Sequence, residues 1–296
     1  MRAPRTLLFV PADRPERIPK ALSSNADAVV IDFEDGVLAA GKLAARTTLK
    51  SVLVAASPPR TEIMVRVNGT DTPWFQDDVA ALCESEVAET VESVVLPKCH
   101  GPEAVAALDA ELTAAEATVP TLKRMRIVAT IESAAGVLAS AEVASASRRV
   151  RALLFGAADL SAELGIAATP CGEEFAYARS HVVLAAASRG IVALDGPYLH
   201  LDDDDGLATS VAEAARLGFA GKAAIHPAQL PVIDVGFGPR EDELKRAASI
   251  VRVFESMQAE DGPGAVRLDD GSVVDYPVYH RAKRLLDDAD PDGGRG

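Results

Sequence analysis

The sequence is poor in the residues that mark several large protein classes. Only three of its 296 residues are cysteine and 4% are aromatic, and no apolar run approaches the roughly 18 residues of a membrane-spanning helix. The lack of such a run predicts no membrane association, and three widely spaced cysteines argue against a disulfide framework and favour a reducing cytoplasm. The first segment, MRAPRTLLFVPADRPER, has an apolar run too short for a signal peptide, which again predicts a cytoplasmic protein.

Basic charge is also scarce. Lys and Arg number 30 against 44 Asp and Glu, which gives a formal net charge of −14. Because nucleic-acid binding depends on a basic surface that neutralises phosphates, this balance argues against a nucleic-acid partner. No G-x-G-x-x-G follows any predicted strand, which excludes the dinucleotide-binding form of a doubly wound α/β fold.

The sequence does contain a regular alternation of short apolar, β-branched segments with helix-forming stretches. The predicted strands are 6–10, 28–33, 63–67, 93–96, 126–131, 152–155, 191–194 and 223–225. The helical stretches between them include 42–54, 136–146, 173–188 and 207–217. Eight β-then-α units predict an α/β fold of the TIM (β/α)8 barrel type, with an open doubly wound sheet as the alternative.

The chain continues well beyond the eighth predicted strand. We predict a barrel in residues 1–236, a C-terminal extension in 237–288 and a disordered tail in 289–296. The extension is expected to contain a helix at 241–259, a hairpin at 265–275 turning at Asp269–Asp270–Gly271, and a last helix after Pro277 that ends near Leu286.

Every predicted strand is followed by an ionisable side chain. These residues are Asp13 and Arg14, Asp32, Glu34 and Asp35, Arg66, Lys98, Glu132, Asp159, Asp195, and His226. One aspartate at such a position is more often a helix cap than a functional residue. Eight strand ends out of eight, with both signs of charge, predict an active site at the C-terminal ends of the barrel strands.

Glu132 and Asp159 are separated by one βα unit, so they leave neighbouring strands on the same rim. Two carboxylates with few histidines and no cysteine nearby make an oxygen-rich site that suits Mg²⁺ better than zinc. The alternative is that each carboxylate caps the helix that follows it. Spacing alone leaves both interpretations open.

Arg66 ends a strand that is otherwise apolar. Its planar guanidinium suits a substrate carboxylate or a developing oxyanion. A buried salt bridge to Glu34 or Asp35 on the neighbouring strand is the equally simple alternative.

His226 and a basic cluster also invite two interpretations each. The histidine is either a base or a hydrogen-bonded support. Arg14, Arg17 and Lys20 follow the first strand and suit an anionic tail such as that of a phosphorylated cofactor, or else a solvated helix face.

Several segments, taken together and in order, resemble one known family. They are FVPADRPER, DFEDGV followed by Lys42 and Arg46, VRVNG-x-DTPWF, VVLPK, TIESAAGV, LFGAADLS, ALDGPY, GKAAIHPAQ and GSVVDYP. They resemble the HpcH/HpaI aldolase superfamily, in the branch of the citrate lyase β subunit, malyl-CoA lyase and citramalyl-CoA lyase. The resemblance implies a TIM barrel, commonly trimeric, that uses Mg²⁺ or Mn²⁺ to cleave or form a carbon–carbon bond beside a thioester.

The resemblance also implies roles for individual residues. Glu132 and Asp159 match the metal ligands, and Arg66 matches the arginine that binds substrate and assists catalysis. The implied contacts to the CoA-bearing substrate are Phe9, Arg14 and Lys20, with Ala158, Ile225 and His226 lining the pocket and Glu132 also facing the substrate. Asp275, in the G-x-x-x-D-x-P stretch, matches a catalytic carboxylate that the C-terminal hairpin-plus-helix lid of a neighbouring subunit supplies. Val273 departs from the family by standing where relatives often carry Met.

The implied activity is lysis of a 3-hydroxyacyl-CoA of the citryl, citramalyl or malyl type to acetyl-CoA, or a related thioester, and a 2-keto acid. Two alternatives stay open. One is an acyl-CoA thioesterase on the same scaffold. The other is the β subunit of a citrate lyase complex, which would require an acyl-carrier partner.

Overall fold

Eight parallel strands form a closed barrel in the computed structural model, which describes residues 3–55, 61–118, 124–258, 264–268 and 271–289. They are β1 (Thr6–Pro11), β2 (Ala28–Asp32), β3 (Glu62–Arg66), β4 (Ser93–Leu96), β5 (Arg126–Ile131), β6 (Val150–Phe155), β7 (Val192–Asp195) and β8 (Gly221–Ala224). Because β1 pairs with β8 as well as with β2, the sheet has no open edge. The predicted TIM barrel is confirmed, and the open doubly wound sheet is wrong.

The connections between the strands are mainly helical. Up to residue 237 the helices are α1 (Ile18–Leu22), α2 (Lys42–Ala55), α3 (Phe75–Leu82), α4 (Ser85–Ala88), α5 (Pro102–Thr118), α6 (Ala134–Leu138), α7 (Ser140–Ser145), α8 (Ala157–Leu164), α9 (Ala176–Ser188), α10 (Asp204–Leu217) and α11 (Leu230–Phe237). The single helix predicted at 136–146 is therefore wrong, because the chain breaks at Ala139 into α6 and α7. No helix among the described residues is long and apolar enough to cross a bilayer.

The strands bury both of their faces. Leu7, Met64 and Leu154 belong to the cluster inside the barrel, whereas their neighbours Leu8 and Val65 belong to the larger cluster around it. Successive strand residues point to opposite sides of a sheet, so nearly continuous apolar strands follow from burial on both faces. The polar residues at the strand ends are thereby left to form the rim.

The eighth strand begins earlier than predicted. The apolar segment 223–225 suggested the strand, but β8 starts at Gly221 and ends at Ala224. Lys222 is buried within it because its ammonium lies 2.6 Å from Asp195 Oδ2, and Arg179 Nη2 donates to the same oxygen at 3.0 Å. A lysine in a strand is not recognisable from hydropathy when an ion pair permits its burial.

Residues from 238 onward form a unit of their own, separate from residues 3–237. It contains α12 (Glu241–Gln258), β9 (Ala265–Arg267), β10 (Val273–Asp275) and α13 (Tyr276–Ala289). The two short strands pair antiparallel, with Val274 opposite Val266. Phe254 anchors the unit's core by stacking on Tyr279 at 4.8 Å between ring centroids.

The C-terminal unit corrects one boundary. The last helix begins at Tyr276 and continues to Ala289, so Pro277 lies in its first turn, where a missing N–H costs no helix hydrogen bond. Gly271 has a φ of 83°, which suits the predicted turn. Asp269 and Asp270 of that turn, and residues 290–296 of the predicted tail, lie outside the described residues.

Candidate active site

A cavity of about 550 Å³ opens at the C-terminal ends of the barrel strands. Its size is typical of a small-molecule site. Most of the predicted site residues of the barrel contribute to its wall, namely Phe9, Arg66, Glu132, Ala158, Asp159 and Ile225. The loop 168–172 and Phe175, which precedes α9, also line this cavity.

Three predicted contact residues do not contribute to that wall. Arg14 and Lys20 are exposed in the segment that follows β1, whereas Arg17, between them, does line the cavity. His226 is exposed, and its Nδ1 accepts a hydrogen bond from the Ala228 backbone N–H at 3.2 Å. In this structure His226 therefore makes a hydrogen bond of the kind expected for a supporting residue.

Arg66 is held by two carboxylates at the end of β3. Its Nε and Nη2 each donate to Asp32 at 2.7 Å, and its Nη1 lies 2.9 Å from Glu34 Oε2. Burial alone would lower the pKa of Arg66, but the hydrogen bonds and charge of Asp32 hold that pKa above its ordinary value. Asp35, one of the predicted partners, makes no ion pair with Arg66 among the contacts of the described residues.

The contacts with Asp32 and Glu34 do not involve all of the N–H donors of Arg66. Two of the five N–H groups of the guanidinium donate to Asp32, and Nη1 lies beside Glu34 in an ion pair. Arg66 also lines the cavity, so its remaining N–H groups are available to a substrate oxygen. The salt bridge and the substrate-binding role, alternatives from the sequence alone, are compatible in this geometry.

Asp32 is in turn fixed by its own loop. It is buried, and its two oxygens accept hydrogen bonds from the backbone N–H groups of Glu34 and Gly36, both at 2.9 Å. The Lys42 ammonium donates to the carbonyls of Phe33 and Glu34 at 2.7 and 2.9 Å. This explains why DFEDG is followed by a lysine that is itself buried: it shapes the loop after β2.

Glu132 follows β5 and is buried in the wall of the cavity. Its Oε1 accepts the backbone N–H of Lys98 at 2.6 Å. Burial raises the pKa of Glu132 to about 8, and the neighbouring charges of Glu34 and Asp159 add to the effect. Glu132 does not cap the following helix, because Ser133 is the N-cap and accepts from the Gly136 N–H at 3.0 Å.

Asp159 lies in the first turn of α8, where the helix dipole favours a carboxylate. The N-cap residue of α8 is Gly156, so the alternative in which Asp159 caps this helix is wrong. Asp159 is partly exposed to the cavity, and β5 and β6, which precede Glu132 and Asp159, are paired neighbours.

The two carboxylates fit a divalent cation with oxygen ligands. Over the described residues, no group of three or more His, Cys, Asp or Glu side chains is arranged to hold a metal ion. Mg²⁺ needs only one or two protein carboxylates, since water and substrate complete its coordination. Burial disfavours the ionised form of Glu132, and a bound cation would stabilise that form and lower the pKa again.

Gly156 allows Glu132 to occupy this position. A Cβ on Gly156 would lie 2.5 Å from the Glu132 Cβ and 2.8 Å from its Oε2. We therefore expect Gly156→Ala to displace Glu132 and to weaken Mg²⁺ binding by about tenfold or more, measured by calorimetric titration. Gly264→Ala is the matched control, because its Cβ would meet an ordinary contact at 3.7 Å. Unchanged Mg²⁺ affinity in Gly156→Ala would contradict this arrangement.

Most of the barrel matches one known protein family. Residues 5–227 match the family described as HpcH/HpaI aldolase/citrate lyase. The chain belongs to this family. It is therefore a lyase, as the resemblance of its motifs implied.

Two curated relatives span nearly the whole chain. Citrate lyase subunit beta of Leuconostoc mesenteroides subsp. cremoris is 31% identical over 96% of this chain and 93% of its own length. L-malyl-CoA/beta-methylmalyl-CoA lyase of Rhodobacter capsulatus is 32% identical over 98% of this chain and 95% of its own length.

Solved structures of the family are similar too. The CitE protein of Mycobacterium tuberculosis in complex with magnesium, acetoacetate and coenzyme A is 33% identical, with a TM-score of 0.79 over 98% of this chain and 99% of that chain. The citrate lyase beta subunit of M. tuberculosis complexed with oxaloacetate and magnesium is 33% identical, with a TM-score of 0.66 over 80% of this chain and 98% of that chain.

Asp275, the remaining predicted residue, lies at the end of β10 in the C-terminal unit. Its Oδ1 accepts the Val278 backbone N–H at 3.1 Å, so it makes the helix-capping interaction.

The contacts that orient the site are not evident from the sequence. In the sequence Asp32 is one of several acidic residues after the strands. In the structure it accepts two hydrogen bonds from Arg66. The sequence identifies Lys98 only as a charged residue that follows a strand, whereas in the structure it contacts both Glu132 and Glu34. The parallel register of β2 and β3 places Asp32 beside Arg66, and this register is the signal that could have identified Asp32 as the partner of Arg66.

Proposed function

We propose that this lyase cleaves, or in reverse forms, the carbon–carbon bond of a 3-hydroxyacyl-CoA of the citryl, citramalyl or malyl type. The products are acetyl-CoA or a related thioester and a 2-keto acid. One observation carries the proposal: two carboxylates, Glu132 and Asp159, line the same cavity as the anchored guanidinium of Arg66. The names of the relatives and the magnesium, acetoacetate and coenzyme A of the similar structure support it.

Glu132 and Asp159 would hold Mg²⁺, or Mn²⁺ in its place, through carboxylate oxygens. When bound, the metal supplies Lewis acidity and a template for the hydroxyl or keto oxygen and the adjacent carboxylate of the substrate. The protein prepares for this by fixing Glu132 Oε1 on the Lys98 N–H.

Arg66 acts on the substrate's hydroxyl or keto oxygen, which carries negative charge once the hydroxyl proton has left in cleavage, or once the enolate has added to the keto carbon in synthesis. Its N–H groups that do not contact Asp32 or Glu34 can donate to that oxygen, while the contacts to these two carboxylates orient the guanidinium. Phe9 supports the same orientation, since the guanidinium carbon lies 5.3 Å from the centre of its ring.

We assign proton transfer to Asp275, as the family resemblance implies. In cleavage the thioester enolate must gain a proton, and in synthesis the thioester methyl group must lose one to a base. This assignment includes a homotrimer, in which the lid of one subunit completes the site of a neighbour.

Asp275→Asn is expected to lower kcat by about 10²–10⁴-fold because the proton-transfer group is removed. Asparagine is also a good helix cap, so the Val278 contact and the melting temperature should be retained. Asp242→Asn, on an exposed aspartate of the same unit, is the control.

Mixing experiments test whether Asp275 works across subunits. Inactive Asp275→Asn chains mixed with inactive Glu132→Ala chains should recover part of the activity once subunits exchange. No recovery after demonstrated exchange would show that Asp275 acts in its own chain or has no catalytic role.

We propose that Phe9, Arg14 and Lys20 contact the CoA-bearing substrate and that Ala158, Ile225 and His226 border its pocket. Phe9, Ala158 and Ile225 supply an apolar wall to the cavity, which suits the pantetheine chain. Arg14 and Lys20, exposed beyond β1, supply positive charge for the phosphates in a chain of net charge −14. We place the enzyme in the cytoplasm, and an acyl-carrier thioester is the alternative substrate form.

The test is a screen of citryl-, citramalyl-, malyl- and 3-hydroxy-3-methylglutaryl-CoA with Mg²⁺ and with EDTA. We expect one of these esters to yield a keto acid with Mg²⁺ and none to react in EDTA. Activity only on acyl-carrier thioesters would favour a citrate lyase β subunit. No cleavage of any thioester would overturn the proposal.

A further inference from the structure

Lys98 contacts both functional parts of the site through different atoms. Its backbone N–H donates to Glu132 Oε1 at 2.6 Å, and its side-chain Nζ lies 2.8 Å from Glu34 Oε1. The other oxygen of Glu34 lies 2.9 Å from Arg66 Nη1. One residue therefore connects the carboxylate proposed to bind the metal with the arginine proposed to bind the substrate.

The backbone of Lys98 has a conformation that lysine rarely adopts. Its φ is 53°, and it is the only residue other than glycine with positive φ among the described part of the chain. This backbone conformation sets the direction in which the Lys98 side chain leaves the chain while its N–H points to Glu132. Residues in unusual conformations persist only where their surroundings determine them, often at functional sites.

We propose that Lys98 is a positioning residue that fixes Glu132 and Arg66 relative to each other, the first through its N–H and the second through Glu34. The roles of Glu132 and Arg66 in this inference rest on the proposed function. The contacts of Lys98 itself are independent of it.

The arrangement matters because the metal ligand and the arginine must act on the same substrate. A misplacement of about 1 Å between reacting groups can lower the rate by about 10²-fold. Glu34 is buried, and burial raises its pKa despite the charges of Arg66 and Lys98. Without the ammonium, Glu34 Oε1 loses its ion-pair partner, so the carboxylate is no longer held in the orientation that contacts Arg66 Nη1.

Two variants separate the side-chain and backbone contacts. Lys98→Gly removes the ammonium but tolerates positive φ, so Mn²⁺ affinity should stay within about threefold of wild type while kcat falls about 10–100-fold. Lys98→Val also lacks the ammonium but disfavours positive φ, so Mn²⁺ affinity should fall about tenfold or more as well. Calorimetric titration with Mn²⁺ in the absence of substrate measures the metal affinity of each variant independently of turnover. Lys98→Arg, which keeps a cation, should recover part of the lost kcat.

Two results would overturn the inference: wild-type kcat in Lys98→Gly, or equal Mn²⁺ affinity in the Gly and Val variants. Melting temperatures are compared first, and Lys98→Ala replaces the Val variant if the latter does not fold. If the wild-type protein binds Mn²⁺ through Glu132 but cleaves no thioester, the proposed function fails, whereas the Gly and Val comparison still decides whether Lys98 positions Glu132.

Discussion

Lysine in place of Arg66 is expected to lower kcat by about 10²–10³-fold, the usual effect of losing a donor to a developing oxyanion. The charge is retained, but a single ammonium cannot bind Asp32 through two parallel hydrogen bonds, contact Glu34 and still donate to substrate. The KM should change less than kcat, because the interaction is strongest in the transition state.

Arg46→Lys is the control for this experiment. Arg46 forms ion pairs with Asp77 and Asp78 and does not line the cavity. It should therefore retain activity. Near wild-type kcat in Arg66→Lys would show that the arginine is only a structural partner of Asp32 and Glu34.

Glu132→Gln is expected to abolish Mg²⁺-dependent turnover, since the amide cannot supply the charge that a Mg²⁺ ligand requires. The metal-free variant should also be more stable than the wild type at pH 7, because glutamine removes a carboxyl whose ionisation folding opposes. The pKa of Glu132 is about 8 in the folded chain, above its ordinary value, so ionisation opposes folding above the unfolded pKa. The stabilising effect should therefore shrink as pH falls toward the ordinary carboxyl pKa.

Thermal unfolding of both proteins in EDTA from pH 5 to pH 8 measures this difference. Glu103→Gln, on an exposed glutamate at the start of α5, is the control and should change neither stability nor turnover. Wild-type Mg²⁺ affinity in Glu132→Gln would contradict the metal assignment.

The rim of the barrel could be predicted from the sequence, because two regularities suffice for it. Apolar, β-branched segments give the strands, and parallel strands in a barrel collect their following residues at one end. These regularities single out Arg66, Glu132 and Asp159, and all three line the cavity.

The partners of these residues could not be predicted with the same ease. Arg66 binds Asp32 because the pairing of β2 with β3 aligns those two residues, and a shift in register would have selected another acid. The positive φ of Lys98 depends on tertiary contacts that no local propensity encodes. The sequence suits His226 to catalysis and to support alike, and its hydrogen bond with the Ala228 backbone N–H is a contact that no sequence pattern predicts.

The central claim is that bound thioester is cleaved at a carbon–carbon bond with the help of a metal at Glu132 and Asp159. The most direct measurement is the product balance on the most reactive ester of the screen, with keto acid, acyl-CoA and free CoA thiol quantified together. We predict equal amounts of keto acid and acyl-CoA, no free thiol, and no reaction in EDTA or in Glu132→Gln. Release of free thiol without keto acid would contradict the claim and identify a thioesterase.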